Sequence, residues 1–484
     1  MRIAKRLFTT LLLLALPASG RAADFQFPDS PAGELAAAWF QAFNGSEADM
    51  RAMYTNHFAP GQRTTDERMA MWKQMRGDVV SLTPIRVLNE SPAHIDVLAR
   101  NGQGESVTVG LEINTDQKIA GVRIEHAEAG EAPAAPQDTS WRTEEQLAMD
   151  FEHYVDSLAE HGTFSGVVRL EHGDHAVVDR AWGDANRETR APNRTSTRFN
   201  IGSINKQFTK IVIAKLIEQG KIKPDDKLSK FLPDFPREQA DKITIQQLLD
   251  MRSGLGDFFG PRYMSADKSK LRNPRDWFPL FVGDSLLFEP GTSERYSNGG
   301  YDVLGAVAEA VTGRSYYDLV RDWVYKAAGM TSSESYSKDA LPGNTAIGYT
   351  RRTEGGGEGA PGATPRPNTD GLPWRGSPAG GGYSTAEDLS RYVHALEQGA
   401  IVSVATAQRY FQAMPNPDGT CVVSLGVAGG APGINAAVEH DGNWTLVVLS
   451  NLDPPAAESL IRIARDWTKR VGPKLPVNLK GDVR

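Results

Sequence analysis

The chain has 484 residues, 40% of them apolar and 23% charged, an ordinary globular composition with material for two to four domains at roughly 100–200 residues each. Lys and Arg number 53 against 60 Asp and Glu, a net charge of −7, and no segment concentrates basic residues as a nucleic-acid groove does, so no nucleic-acid partner is expected. Cys421 is the only cysteine, which excludes an intramolecular disulfide and a cysteine-based zinc site.

Residues 1–22 read as a secretory signal peptide. Arg2, Lys5 and Arg6 precede an apolar run from Leu7 to Ala18, and Gly20-Arg21-Ala22 places small residues at both specificity positions of a cleavage site. The run is shorter than the ~20 residues of a spanning helix, so the expectation is a periplasmic or extracellular protein without a transmembrane segment. An amphipathic N-terminal anchor is the competing reading.

Residues 24–126 predict a small α+β domain. Ser30 with Pro31, Ser46 before Ala48–Tyr54, and a Thr64/Glu67 capping box before Met69, Met71, Trp72 and Met75 mark three helix starts. Alternating runs at Ile85–Leu88, His94–Leu98, Val107–Ile113 and Ile119–Ile124 follow, separated by Ser91-Pro92, Asn101-Gly102 and Asn114–Gln117, which suits an antiparallel meander. In element order alone this resembles the cone-shaped nuclear-transport-factor-like domains. Residues 127–140 contain the Pro/Ala/Glu stretch Glu128–Asp138 and read as a linker.

Residues 141–475 predict a second, larger domain. Thr143 and Gln146 suggest a capping box for a helix carrying Leu147, Phe151, Tyr154 and Leu158 on one face. Strands are expected at Gly166–Leu170 and His175–Asp179, then at Cys421–Val427, Ile434–His440 and Trp444–Ser450, before a last helix with Leu460, Ile463, Ala464 and Trp467. The middle, 200–400, is mainly helical, with a Gly/Pro-rich loop at 355–373 that should border a cleft together with Trp374-Arg375. The fold class is therefore α+β: one antiparallel sheet flanked by helices, with a helical insertion facing it.

The chemistry starts at Ser203-Ile204-Asn205-Lys206. A serine hydroxyl needs a proton acceptor to become a nucleophile, and a lysine three positions later on a helix shares its face. Phe208, Ile211, Val212, Ile213, Leu216 and Ile217 make the following helix apolar nearly all round, so burial should lower the Lys206 pKa. Ser-x-x-Lys also occurs at Ser265/Lys268 and Ser335/Lys338, in polar stretches that read as solvated surface. Tyr296-Ser297-Asn298 supplies a phenol and an amide after the turn Phe288–Thr292; the same spacing at Tyr54/Asn56 reads as a helix end. His172 and His175 read as a solvated hairpin turn rather than a metal pair, and His440-Asp441 as a hairpin tip. Neither a Gly-x-Ser-x-Gly elbow nor a His-Glu-x-x-His helix is present.

With Phe164–Val168, Arg198–Ser203, Ile243–Ile245, Ser253–Leu255, Pro290-Gly291, Gly329-Met330, Pro378–Gly381, Ser384–Leu389 and Val447–Asn451 in order, the larger domain resembles the serine beta-lactamase-related hydrolases. These include class C beta-lactamases, D-Ala-D-Ala carboxypeptidases, D-aminopeptidases and family VIII esterases. The resemblance implies a beta-lactamase/transpeptidase-like fold and no metal or other cofactor. It makes Ser203 the acylated nucleophile, Lys206 its partner, Tyr296 the general base and Asn298 a substrate amide contact. The family's third motif, Lys or His, any residue, then Gly, aligns with Val427-Ala428-Gly429. Gly429 is kept and Gly430 offers an oxyanion N–H beside that of Ser203, but Val427 offers neither charge nor hydrogen bond. Arg252 is a candidate to meet a substrate carboxylate in its place, with a surface arginine as the competing reading. The implied activity is hydrolysis of a small-molecule or peptide ester or amide through a Ser203 acyl-enzyme, ahead of true beta-lactamase action. A scaffold with impaired turnover, its first domain binding a partner, is the alternative; the oligomeric state stays open.

Overall fold

In the computed structural model the described residues are 25–60, 64–102, 106–126, 143–353 and 364–471. The leader, the whole of the expected linker and the Gly-rich stretch 354–363 lie outside them. The chain divides into two compact units, one ending at Glu125 and the other starting at His126.

In the first unit three helices precede a four-stranded antiparallel meander. Helix α1 (Pro31–Asn44) starts where Ser30 Oγ accepts from the Gly33 amide at 2.9 Å. Helices α2 (Glu47–His57) and α3 (Thr65–Val79) each carry a complete capping box, on Ser46/Asp49 and Thr64/Glu67. Strands β1 (Leu82–Ser91), β2 (His94–Asn101), β3 (Ser106–Ile113) and β4 (Ile119–His126) pair in sequence order. Trp39, Phe43 and Met50 of the helices pack on Ile95, Val97, Val109 and Leu111, the inward-facing alternate residues of the sheet.

The second unit is built on a five-stranded antiparallel sheet. Helix α4 (Glu144–Glu160) leads into the hairpin β5 (Gly166–His172) and β6 (His175–Trp182). Three helices follow that matter for the site: α5 (Asn205–Glu218), α6 (Asn298–Thr312) and α7 (Ala386–Glu397). Strands β7 (Leu425–Ala431), β8 (Ile434–His440) and β9 (Trp444–Ser450) and helix α8 (Ala456–Thr468) close the unit. The order across the sheet is β7-β8-β9-β5-β6. Alternation sorts the strands between two cores. Val168, Leu170, Leu446 and Val448 face α4 and α8, with Phe151, Leu460 and Trp467, while Val167, Val447 and Leu449 join Phe208, Ile211 and Val212 of α5. Buried on both faces, β9 is apolar throughout apart from two polar positions.

Several expectations change in the structure. The last sheet strand before the hairpin runs over 425–431, not 421–427; Cys421-Val422 instead pairs with Met414-Pro415. Ser335 is buried rather than a solvated surface serine. His440 is no exposed hairpin tip: it is buried, with Nε2 at 2.8 Å from Glu397 and Nδ1 at 2.9 Å from Thr445. His172 and His175 flank a turn as expected, but each bonds one oxygen of Glu144 at 2.8 Å; no metal-binding group of three occurs among the described residues. Buried Glu171 on β5 accepts from Arg169 Nε at 2.6 Å, from His394 Nε2 at 3.0 Å and from the Ser390 hydroxyl, tying α7 to the sheet. Burial opposes its charge, yet these partners hold its carboxyl down at about 2.

One packing contact fixes the position of Ser203. The turn at Ile201–Ser203 is clamped between Gly380–Gly382 and Gly429-Gly430: Ile201 N donates to Gly382 O at 2.9 Å and Gly381 N to Gly202 O at 3.3 Å. A Cβ at Gly429 would stand 2.1 Å from Ile201 O and 2.6 Å from Ser203 N. Gly202 has φ +49 and its own Cβ would lie 3.0 Å from the Gly429 carbonyl carbon. Strand β7 therefore approaches backbone to backbone. Gly429→Ala is expected to lower thermal stability, by about 1–3 kcal/mol from overpacking. Gly426→Ala on the same strand, where nothing stands within 4 Å, should leave the melting temperature nearly unchanged. Equal melting curves for the two variants would remove this account of β7.

Candidate active site

Ser203 sits in a single 3-10 turn, Gly202–Ile204, that runs directly into α5. This differs slightly from a serine opening the α-helix itself, because Gly202 with its positive φ bends the chain first. Lys206, in the first turn of α5, still lies on the same side, and its Nζ is 3.0 Å from Ser203 Oγ. The other expected residues arrive from far along the chain. Tyr296 OH is 2.7 Å from Ser203 Oγ, and Asn298 Oδ1 accepts from Lys206 Nζ at 2.6 Å. The Lys206 ammonium position also lies 4.7 Å from the Tyr296 ring centre and 5.7 Å from that of Tyr301.

The third acceptor on Lys206 is the carbonyl of Ala379, at 2.5 Å. Its segment, Pro378–Gly381, stood out in the sequence but suggested no role there. The donor count now orients the amine. Asn298 Oδ1 and Ala379 O have no proton to give, so a neutral Lys206 points both of its N–H groups at them, and its lone pair is left for the Ser203 hydroxyl. Lys206 is only 5% exposed, and burial lowers its pKa to about 7 against the opposing pull of Asp302 and Asp257. Tyr296 moves the other way: desolvation of the phenol raises its pKa, more than its bond to Ser203 lowers it. At neutral pH the phenol is thus a donor to Ser203 Oγ while the amine is available as acceptor.

Asn298 is occupied within the protein. Its Nδ2 donates to Asp257 Oδ2 at 2.7 Å and its backbone N–H to the same oxygen at 3.2 Å. It bridges Asp257 to Lys206, where the resemblance assigned it to a substrate amide. Asp257 and Asp302 were missed by sequence reasoning. Asp302 did leave a signal, a lone acid among Tyr301, Val303, Leu304 and Val307 on a helix apolar enough to be buried. Asp257 left none.

The backbone of β7 reaches the same spot. Gly430 N lies 3.1 Å from where a Gly202 Cβ would stand, which brings both glycines named in the sequence, 429 and 430, beside Ser203. Val427 faces the same side as Gly429 and packs partly buried against the larger core. Arg252 is exposed, and its guanidinium donates to Gly291 O at 2.5 Å and braces that turn. Trp374 and Arg375 stack with Arg272 and Tyr317 rather than on the Ser203 cluster. A cavity of about 700 Å³ lies beyond Asn200 and Tyr383, between Asn368, Gly433 and Asn451, and none of Ser203, Lys206 and Tyr296 lines it.

Known proteins resemble this chain in sequence and in fold. A penicillin-binding protein of Bacillus subtilis (strain 168) is 28% identical over 300 residues, 60% of this chain and 65% of that protein. A D-aminopeptidase of Cereibacter sphaeroides (strain KD131) is 32% identical over 190 residues, 39% of this chain and 36% of that enzyme. The chain thus spans less than two thirds of the length of either. The crystal structure of a penicillin-binding protein from Bacillus halodurans superposes with a TM-score of 0.56 at 28% identity, covering 67% of this chain and 98% of that one. Residues 151–467, more than half the chain and all within the second unit, match the family described as Beta-lactamase, and the chain belongs to that family.

Proposed function

We propose that the protein is a serine hydrolase that works through an acyl-enzyme on Ser203, with esters or amides of D-residues as its substrate class. The observation that carries this reading is the geometry at Lys206: its Nζ stands 3.0 Å from Ser203 Oγ with two pure acceptors, Asn298 Oδ1 and Ala379 O, on its other sides, so that a neutral amine with both N–H groups on those acceptors turns its lone pair to the serine hydroxyl. As Ser203 Oγ attacks the substrate carbonyl carbon, its proton passes to Lys206 Nζ, and the oxyanion is met by the N–H groups of Ser203 and Gly430. The carbon–oxygen or carbon–nitrogen bond then breaks, the leaving group takes a proton relayed from Lys206 by the Tyr296 hydroxyl, and Ser203 is left as an ester. Water repeats the sequence and frees the acid.

Val427 supports the choice of substrate. A side chain with no charge and no hydrogen bond gives a terminal carboxylate nothing to pair with, which favours esters and amides over ligands recognised by that group. The relationship to a D-aminopeptidase points the same way. Val427 also motivates the second reading, a binding scaffold with impaired turnover. The leader at 1–22 would direct the protein out of the cytoplasm; among the described residues no helix is long and apolar enough to cross a membrane.

Three outcomes are expected. A fluorophosphonate probe labels the wild-type chain and not Ser203→Ala, and hydrolysis of a short-chain nitrophenyl ester falls with it by at least ~10³; equal labelling of both defeats the acyl-enzyme, and labelling without turnover leaves the scaffold. Because Lys206 titrates at about 7, kcat/KM should fall tenfold per pH unit on the acid side of that value, with no loss from Tyr296 until well into the alkaline range, since its pKa is raised. A profile flat between pH 5 and 8 would remove Lys206 as the base. Finally, Val427→Lys should raise kcat/KM for a D-Ala-D-Ala peptide about tenfold or more over a D-Ala anilide, as one charge-assisted contact is worth roughly 1.5–3 kcal/mol; an unchanged ratio excludes Val427 from specificity.

A further inference from the structure

Asp302 lies one helical turn beyond Asn298 on α6 and is completely buried. Its Oδ1 accepts from the Ala379 amide at 3.3 Å, an N–H shared with Ser377 Oγ at 3.1 Å, and its Oδ2 makes no hydrogen bond among the described residues. A carboxylate held out of water with one oxygen unpaired is strongly disfavoured unless a positive charge stands close by. Here the cation in electrostatic range is Lys206, reached across the Ala379 peptide and not through a direct ion pair. Ala379 links the two directly, since its N–H reaches Asp302 while its carbonyl receives Lys206 Nζ.

The surroundings single this acid out. Lys206 is faced by Ser203 from its own segment, by Tyr296, Asn298, Tyr301 and Asp302 from α6 and the residues before it, by the Ala379 carbonyl, and by Asp257 behind Asn298. Asp302 is faced by Lys206, by Ser377 and Ala379, by Asp257, and by the phenols of Tyr316 and Tyr317. Asp257 is the other acid in range, but its charge is already spent on the Asn298 side-chain and backbone N–H groups and, through Oδ1, on Phe259 N at 2.9 Å. Burial pushes Asp302 well above the usual carboxylate range and Lys206 below the usual amine range, and each partly restores the charge of the other.

We propose that Asp302 is the buried counter-charge of Lys206, ionised when the amine carries its proton: a positioning residue that sets the pH at which Lys206 becomes a base and steadies the ammonium formed when Ser203 gives up its proton. The proposal rests on the acyl-enzyme reading above and adds a residue that touches neither substrate nor Ser203. A carboxylate that only braced Ala379 would, when replaced, lower stability and slow the enzyme equally at every pH. A counter-charge does something else, because its removal makes Lys206 easier to deprotonate.

The test is the rate of fluorophosphonate labelling of Ser203 between pH 5 and 9 in the full chain, for wild type, Asp302→Asn and Ser377→Ala, with melting curves alongside. In Asp302→Asn the acid limb is expected to move down by roughly one pH unit. At pH 5.5 labelling should then be about tenfold faster, relative to its own alkaline plateau, than in wild type. Ser377→Ala, which withdraws a hydroxyl favouring the Asp302 anion, should move the limb the same way by less. A limb that stays in place or moves up in folded Asp302→Asn overturns the proposal; if that variant does not fold, an unmoved limb in Ser377→Ala does so. Should wild type show no Ser203-dependent labelling, the acyl-enzyme reading fails, and titration of Lys206 by NMR of ε-13C-lysine in wild type and Asp302→Asn decides on Asp302 alone, an unchanged Lys206 pKa overturning it.

Discussion

An amine kept from water between two fixed acceptors and a serine hydroxyl is the constraint around which the larger unit is organised. Lys206 can be neutral only because it is buried, and it is useful only because its two fixed partners, Asn298 Oδ1 and Ala379 O, leave the serine as the one neighbour with a proton to give. That requirement recruits three separate stretches of chain. The 3-10 turn and the first turn of α5 that follows it carry Ser203 and Lys206 on one side, the residues entering α6 bring Tyr296 and Asn298 across, and the loop before α7 lays down Ala379. Asp257 and Asp302 then hold the second layer, one through Asn298 and the other through Ala379.

The sheet contributes backbone rather than side chains. Strand β7 can come down on the Ile201–Ser203 turn because the positions in contact are glycines, and a methyl group at 429 would overlap both Ile201 O and Ser203 N. This is why the strand carries three glycines and a single β-branched residue, Val427, while β9 in the middle of the sheet carries Thr445, Val447 and Val448 and no glycine. The same demand accounts for the displaced strand boundary. Propensity favours Cys421–Val423 as strand and Gly429–Ala431 as turn, whereas the contact with the serine turn selects the glycine run.

The smaller unit has a complete core of its own, with Trp39, Phe43 and Met50 packed on one face of a meander, and it lies outside the stretch that matches the Beta-lactamase family. Its fold follows from local signals: three capped helix starts and four alternating runs separated by turn residues. The larger unit needs its long-range contacts, since β5 pairs with β9 across nearly the whole unit and the two cores exist only once that sheet is closed.

What the sequence determined by itself was therefore local or additive: capped helices, alternating strands, the apolar helix behind Ser203 and the pairing of Ser203 with Lys206 three residues on, all of which are set by spacings of 2 and 3.6 residues. The neighbourhood of Tyr296 and Asn298 came through resemblance rather than spacing. Only the tertiary structure decided that Asn298 turns inward to Asp257 and Lys206, that Arg252 bonds the carbonyl of Gly291, that His440 is buried with Glu397, and that Asp302 is buried on the far side of Ala379 from the amine. Each of these is a hydrogen bond between residues far apart in the chain, and the charge and donor count of a side chain do not say which distant partner will be within 3 Å of it.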